Sequence, residues 1–158
     1  MSVYEACLVY RKNNIILRKT ELRDLEDLLK CYSDTNSVQF FNSDNCNGDD
    51  FYYNSIEKMK KAIEFWGYAY EKGYFVRWSV ILEDTNEIVG TIEMFHRNAE
   101  DEFNHYGVLR IDLKSDCEKM EVVSSILEIA SENFYSVFDV KSIFKPRATS
   151  LQPKIRDI

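Results

Sequence analysis

The sequence predicts an α/β chain of the α+β type, and three observations carry that prediction. Three strand-like runs, Tyr74–Leu82, Glu87–His96 and Tyr106–Leu113, follow one another across short polar connections and read as a meander. Segments with apolar residues at helical spacing lie before the meander and after it. The stretch Tyr106–Ala130 then changes period within a few residues. Val108, Arg110 and Asp112 alternate with Leu109, Ile111 and Leu113, as in a half-buried strand, whereas Val122, Ile126, Ile129 and Ala130 recur as on a helix.

In chain order, Ala6–Tyr10 and Ile15–Arg18 read as two short strands around Lys12-Asn13-Asn14. Paired asparagines tolerate positive φ, so a tight hairpin is expected there. Thr20 to about Ser33-Asp34 reads as a helix with the stripe Leu22, Leu25, Leu28 and Leu29, and with Thr20 and Asp24 at hand for capping. Residues 34–50 are rich in Asn, Ser, Asp and Gly and read as a loop. Within it Val38–Phe41 forms an apolar island expected to pack on the core. A second helix is expected over Phe51–Glu71, with Ile56, Met59, Ile63 and Trp66 on one face and Lys72-Gly73 as its stop.

Glu83–Asn86 turns the first meander strand into the second, and Arg97–Asn104, with Glu100, Asp101 and Glu102, joins the second to the third. Ser115 or Asp116 is suited to cap a helix over 121–136. That helix returns to a strand over Asp139–Phe144, Pro146 breaks it, and Leu151–Ile158 reads as the start of a further helix.

The chain has 158 residues, which is most simply one domain over 1–158, and 45% hydrophobic residues are enough for a sizeable core. The 5 Gly and 2 Pro leave no room for a linker or low-complexity segment. A net charge of −7 disfavours a general nucleic-acid binder, which needs a basic face for phosphates. Cys7, Cys31, Cys46 and Cys117 show no C-x-x-C spacing, so no metal site or redox motif is expected. The start lacks a signal peptide, and no apolar run reaches the length of about 18 residues that a membrane span needs. A soluble protein with free thiols in the reducing cytoplasm, and no membrane partner, is the expectation.

The order strand, two helices, three-strand meander, helix, strand, helix resembles the Gcn5-related N-acetyltransferase (GNAT) superfamily. The wording of Ile16–Leu28 is similar to the opening strand–helix of its ribosomal-protein-acetylase-like branch. Trp78–Ile81 and Glu87–Ile92 are similar to that branch's second and third strands. The resemblance covers roughly residues 14–157. It implies a mixed, mainly antiparallel twisted sheet with helices on both faces. It also implies acetyl-CoA as co-substrate, with its pantetheine arm against the backbone of the strand carrying Ile111 and Leu113. The pyrophosphate would lie on the loop that opens the next helix, here Asp116, Cys117, Glu118, Lys119, Met120 and Glu121. Such a site works because unpaired N–H groups and the positive helix end face the same way. Two positions that are glycine in the family pattern are Glu118 and Met120 here, and Asp116, Glu118 and Glu121 add negative charge. Lys145–Ile158 holds no tyrosine for the departing thiolate and no closing strands. A C-terminal truncation is one reading; closure of the sheet by Val3–Tyr10 or by a partner subunit is another.

Acetyl transfer to an amine needs a base to take a proton. The resemblance makes Glu93 on the second meander strand that base, against the plainer reading of a solvent-facing strand residue. Asp112 is a second carboxylate, expected to pair with Arg110 or Lys114. His96 and His105 flank the acidic loop, without further ligands for a metal. Tyr106 is a candidate to orient a substrate, the 100–102 run to attract an ammonium group, and Cys117 a thiolate candidate at a helix start. The expected function is transfer of acetyl from acetyl-CoA to a primary amine of a small molecule or a protein N-terminus, by a homodimer. The alternative is a catalytically degenerate GNAT-fold ligand-binding or protein-interaction module.

Overall fold

The computed structural model describes residues 1–37 and 52–144. The Val38–Phe41 island, Phe51, Cys46, the break at Pro146 and the helix expected from Leu151 lie outside those residues. Among the described residues six strands form one sheet in sequence order: β1 (Tyr10–Lys12), β2 (Ile15–Lys19), β3 (Val76–Leu82), β4 (Glu87–His96), β5 (Tyr106–Leu113) and β6 (Ser142–Phe144). Neighbours from β1 to β5 run antiparallel, while β5 and β6 run parallel through α3 (Met120–Phe138). This is the mixed, mainly antiparallel sheet expected. Two further helices, α1 (Leu25–Tyr32) and α2 (Ile56–Glu71), lie on the opposite face from α3.

The burial pattern explains this layering. Trp78, Val80, Ile92, Leu109, Ile111 and Leu113 pack with Val123, Ile126, Ile129, Phe134 and Phe138 of α3 in one core. Trp78 and Phe134 stack with centroids 4.8 Å apart. A second core joins Leu28 and Tyr32 of α1 to Met59, Ile63 and Trp66 of α2 and to Ile81 and Ile88 of the sheet. The sheet is thus buried on both sides, and β3 is enclosed along nearly its whole length.

Two local devices set the register. Asn13 takes positive φ (53°) at the β1–β2 turn, and its side-chain amide donates to Ser125 of α3 (2.9 Å). Between β3 and β4 the pairing slips by one residue at Val80/Ile81, next to Gly90. A Cβ on Gly90 would come 1.9 Å from the carbonyl oxygen of Asp112, so only glycine lets β5 approach here.

Several expectations need correction. Ala6–Val9 does not extend β1: Leu8 and Val9 are exposed, and the N-terminus instead turns at Ser2–Ala6 and hydrogen-bonds through Val3 N–H to Val137 of α3 (3.0 Å). The first helix opens as a 3-10 turn over Leu22–Asp24. That turn changes the angular phase and leaves Leu22 exposed. Its cap is Asp24, which accepts from the Glu21 N–H (3.0 Å), while Thr20 accepts from Ser79. Helix α2 starts at Ile56 with Ser55 as its N-cap, and Ile56 points to solvent. Helix α3 runs from Met120 to Phe138 and ends on Asp139 in the left-handed region (φ 52°). Strand β6 therefore begins only at Ser142.

Gly90→Ala should cost about 3 kcal/mol or more, because backbone rather than a flexible side chain must move. Urea unfolding monitored by tryptophan fluorescence reads this directly; an unchanged midpoint would contradict the close β4–β5 approach.

Candidate functional site

The face of the sheet toward α1 and α2 holds a row of buried charges, an expensive arrangement unless every charge is paired. In register across three strands lie Arg77 (β3), Glu93 (β4) and Arg110 (β5). One step along lie Ser79, Thr91 and Asp112. Arg77 donates through Nη2 to Glu93 Oε2, and through Nη1 to Thr91 (2.8 Å) and Asp112 (3.2 Å). Arg110 Nη1 donates to Glu93 Oε1 (2.9 Å). From α1, the Tyr32 hydroxyl donates to Asp112 Oδ2 (2.8 Å) and lies 2.7 Å from Thr91 Oγ1. The Arg77 guanidinium also lies over the Trp66 ring of α2, 4.2 Å from its centroid. Two guanidinium and two carboxylate groups balance each other.

Burial works against the Arg77 charge, yet Glu93 and then Asp112 hold it above its ordinary range. For Asp112, burial wins and pushes the carboxyl up, against the pull of Arg77 and the Tyr32 hydroxyl. Burial, then the Asp112 charge, keeps the Tyr32 phenol protonated well above its usual range. Glu93 is only 3% exposed, so the plainer reading of a solvent-facing residue is wrong: both its oxygens already accept from arginine. Asp112 pairs with Arg77 and not, as expected, with Arg110 or Lys114. Lys114 instead reaches Glu87 (3.0 Å).

The loop after β5 is built differently from a simple helix cap. Ser115–Cys117 forms a 3-10 turn, and α3 opens at Met120 behind Lys119, which provides no side-chain cap. Neither Ser115 nor Asp116 caps α3. Ser115 N–H and Oγ both donate to Asp34 Oδ2 (2.9 and 2.8 Å), at the end of α1. The same carboxylate accepts from Asn36 N–H (3.0 Å) and Ser37 Oγ (3.2 Å). Burial raises the Asp34 carboxyl, but the Ser115 and other donors outweigh it and bring it below the usual carboxylate range. Cys117 precedes the helix by three residues, and its N–H goes to Lys114 O (3.0 Å). Burial, then the neighbouring Asp116, pushes its thiol up to about 11, which removes the reason to expect a thiolate.

Ile111 and Leu113 lie on β5, which pairs with the described part of β6 from Tyr106↔Ser142 to Val108↔Phe144. Their side chains are buried in the α3 core. Glu118, Lys119, Met120 and Glu121 follow in the turn and first helical positions, with Met120 and Lys119 exposed.

His96 and His105 do come together. His96 Nδ1 lies 2.9 Å from Phe138 O, and its Nε2 lies 2.8 Å from His105 Nδ1. A carbonyl only accepts, so His96 carries its proton on Nδ1. The pair fastens the β4–β5 connection to the end of α3. Among the described residues no three His, Cys, Asp or Glu side chains gather as a metal set. Asp101 of the acidic run is held by both guanidinium nitrogens of Arg97 (2.6 and 2.7 Å). Tyr106 packs edge-on against Phe103, and the Lys141 ammonium lies 5.5 Å from its centroid.

Arg77, Thr91, Tyr32 and Asp34 are the site residues that sequence reasoning missed. A charged residue inside the mostly apolar run Val76–Leu82 was the available signal for Arg77. Nothing marked Asp34, whose contact crosses 81 positions.

A hairpin-led sheet whose fifth and sixth strands run parallel on either side of α3 is the fold of the Gcn5-related N-acetyltransferases. No protein-family model matches the sequence. YoaA of Bacillus subtilis strain 168, described as an uncharacterized N-acetyltransferase, is 26% identical over 97 residues, covering 58% of this chain and 51% of that protein. The chain thus matches about half the length of that curated relative. Among solved structures, the ribosomal-protein acetyltransferase RimL in complex with coenzyme A superposes with TM-score 0.70 at 14% identity, over 92% of this chain and 77% of that one. The ribosomal-protein-S5-alanine acetyltransferase of Vibrio fischeri gives TM-score 0.66 at 11% identity, over 87% and 73%. A GNAT-family acetyltransferase of Bacillus anthracis gives 0.64 at 14%, over 87% and 72%.

Glu93→Gln should cost about 3–5 kcal/mol in urea unfolding, because it leaves two buried guanidiniums facing one carboxylate. Asp34 should act in acid. Its folded pKa is depressed, so its contribution is present above the unfolded value of about 3.9 and is lost as pH falls through the folded value. The gap in melting temperature between wild type and Asp34→Asn should therefore be full at pH 6 and close below about pH 4. A gap independent of pH would show that the carboxylate charge plays no part.

Proposed function

We propose that this chain is an N-acetyltransferase that uses acetyl-CoA and acts on a primary amine of a small molecule or a protein N-terminus. The observation that carries the reading is the run from β5 into α3. Strand β5 runs parallel to β6 along Tyr106–Val108 and leads, through one 3-10 turn, to a helix start without a side-chain cap. In this reading the backbone around Ile111 and Leu113 binds the pantetheine amides. The first N–H groups of α3, at Met120 and Glu121, hold the pyrophosphate, as helix N-termini hold anions. Asp116, Cys117, Glu118 and Lys119 form the wall beside it, with the Lys119 ammonium the cation at hand. The likeness to a coenzyme A complex of RimL supports this choice of ligand.

Acetyl-CoA, when bound, would supply an acetyl thioester: the amine forms the amide C–N bond, the C–S bond breaks, and coenzyme A leaves as a thiolate that takes a proton from water. Glu93 takes the amine proton through an intervening water, since its own oxygens accept from Arg77 and Arg110. Asp112 and Tyr32 keep that network neutral overall and fix Arg77 in place. A homodimer in the reducing cytoplasm is part of the same reading.

Thermal denaturation with acetyl-CoA tests it. Ligand at about 100 times its Kd stabilises the native state by about 2.7 kcal/mol, a shift of several degrees for a chain of this size. No shift at millimolar acetyl-CoA would overturn the proposal and leave a fold without this co-substrate. Where a shift is seen, Glu93→Gln should lower kcat for an amine acceptor about 10²–10⁴-fold while the acetyl-CoA shift remains.

A further inference from the structure

We infer, resting on the co-substrate reading above, that Asp34 is a positioning residue for coenzyme A: it fixes the turn whose far end presents the first N–H groups of α3 to the pyrophosphate. The turn has little of its own to hold it in place. Of Ser115–Lys119 only Cys117 is apolar, and it packs against the α3 core. Ser115, Asp116 and Lys119 are exposed. Lys114 ties the entry to β4, through its N–H on Val89 O (2.9 Å). Beyond it, the bonds from Cys117 N–H to Lys114 O (3.0 Å) and from Lys119 N–H to Cys117 O (2.9 Å) curl the turn but link it to nothing outside itself. Asp34 supplies such a link, because both donors of Ser115, the N–H and the hydroxyl, end on its Oδ2.

The carboxylate is oriented before it meets the turn. Asn36 N–H donates to its Oδ1 (3.0 Å) and the Ser37 hydroxyl to its Oδ2 (3.2 Å), both from its own side. Behind it, α1 is anchored by Leu28, Cys31 and Tyr32, all fully buried. The Ser115 and other donors hold the carboxyl below the usual range, so it is charged at neutral pH, and bonds to a charged acceptor are the stronger kind. Two effects of opposite sign then act on a bound pyrophosphate. The Asp34 charge repels it, while the Asp34 bonds keep the turn in one geometry. The carboxylate is only half-buried, so water and salt screen the repulsion. A loosened turn, in contrast, must be ordered again on binding, at an entropy cost for every residue that has come free. Position therefore outweighs repulsion, and removal of Asp34 weakens coenzyme A instead of tightening it.

Calorimetric titration of coenzyme A into the full chain at neutral pH tests this without an acceptor. Asp34→Ala should raise the Kd about tenfold, the size of ordering a single backbone residue anew. Asp34→Asn should fall between wild type and Asp34→Ala, because its amide oxygen still accepts from both donors but carries no charge. Ser115→Ala should raise the Kd by less than Asp34→Ala does, and adding it to Asp34→Ala should change nothing further, since both act through one contact. Asp27→Ala is the control. Its Oδ2 accepts from Ile88 N–H (3.0 Å), a like bond from α1 to the sheet but away from the turn. It should lower the urea midpoint and leave the coenzyme A Kd unchanged. Circular dichroism checks that each variant is folded. A wild-type chain that binds no coenzyme A overturns the co-substrate reading and this inference with it. Wild-type binding with Asp34→Ala equal or tighter, or an equal loss in Asp27→Ala, overturns this inference alone. Should Asp34→Ala not fold, an unchanged Kd in both Asp34→Asn and Ser115→Ala overturns it instead.

Discussion

Everything in the sheet is arranged around the buried row Arg77–Glu93–Arg110. Desolvating a charge costs several kcal/mol even after relaxation, so each of these groups is tolerable only opposite its mate. A slip of one residue between β3 and β4 would turn the Glu93 side chain away from both arginines, into the apolar core under α3. The row therefore adds little net stability compared with apolar packing but makes every other register costly. The offset at Val80/Ile81 serves this requirement. Without it, regular pairing from the β3–β4 turn would set Arg77 against Ile92. Gly90 belongs to the same device, because it alone allows β5 to come close enough to bring Arg110 and Asp112 into line.

The two faces of the sheet consequently do different work. The α3 face is apolar and closes on stacked rings, with Trp78, Phe134 and Phe138 in mutual contact. The α1–α2 face is where the polar chemistry lies, and the C-terminal end of α1 reaches it twice. Tyr32 enters the charge network, and Asp34, two residues later, holds the turn that opens α3. The end of α1 thus connects the centre of the sheet to the turn after β5, a link that runs through hydrogen bonds and not through the chain.

How much of this was legible depended on the range of the interaction. Strands β4 and β5 were readable to the residue because alternation is local, and the β1–β2 turn because Asn13 alone decides its φ. The face assignment of Arg110 and Asp112 was readable for the same reason. Their partners were not: register across β3–β4 hinges on a bulge that no periodicity announces, so the sequence does not point Asp112 to Arg77 and leaves Arg110 or Lys114 as its expected partner. Ala6–Val9 has strand-like residues, but an edge strand forms only where a neighbour offers free backbone, and the turn at Ser2–Ala6 carries this segment toward α3 instead. The early phase error at Leu22 has a similar origin, since a 3-10 turn has the same residue types as a helix start with a different angle per residue.

The turn before α3, where Glu118 and Met120 stand at the glycine positions of the family pattern, is less strained than the sequence suggests. Glycine in such a loop supplies either positive φ or space. Glu118 has φ −80° and Lys119 φ −118°, and the positive-φ residues of the described chain, Asn13, Gly73, Asn86, His105 and Asp139, all lie elsewhere. The backbone here therefore asks for no glycine, and Glu118 and Met120 introduce no strain. What remains is space and charge. Met120 is half exposed and flexible, so it yields at little cost. The charge is the harder obstacle, because Asp116, Glu118 and Glu121 surround the helix start while Lys114 is already committed to Glu87. Asp34 shows the compensation this turn accepts, a carboxylate held on the Ser115 N–H. The turn after β5 thus holds one carboxylate through the Ser115 N–H and hydroxyl despite its acidic neighbours.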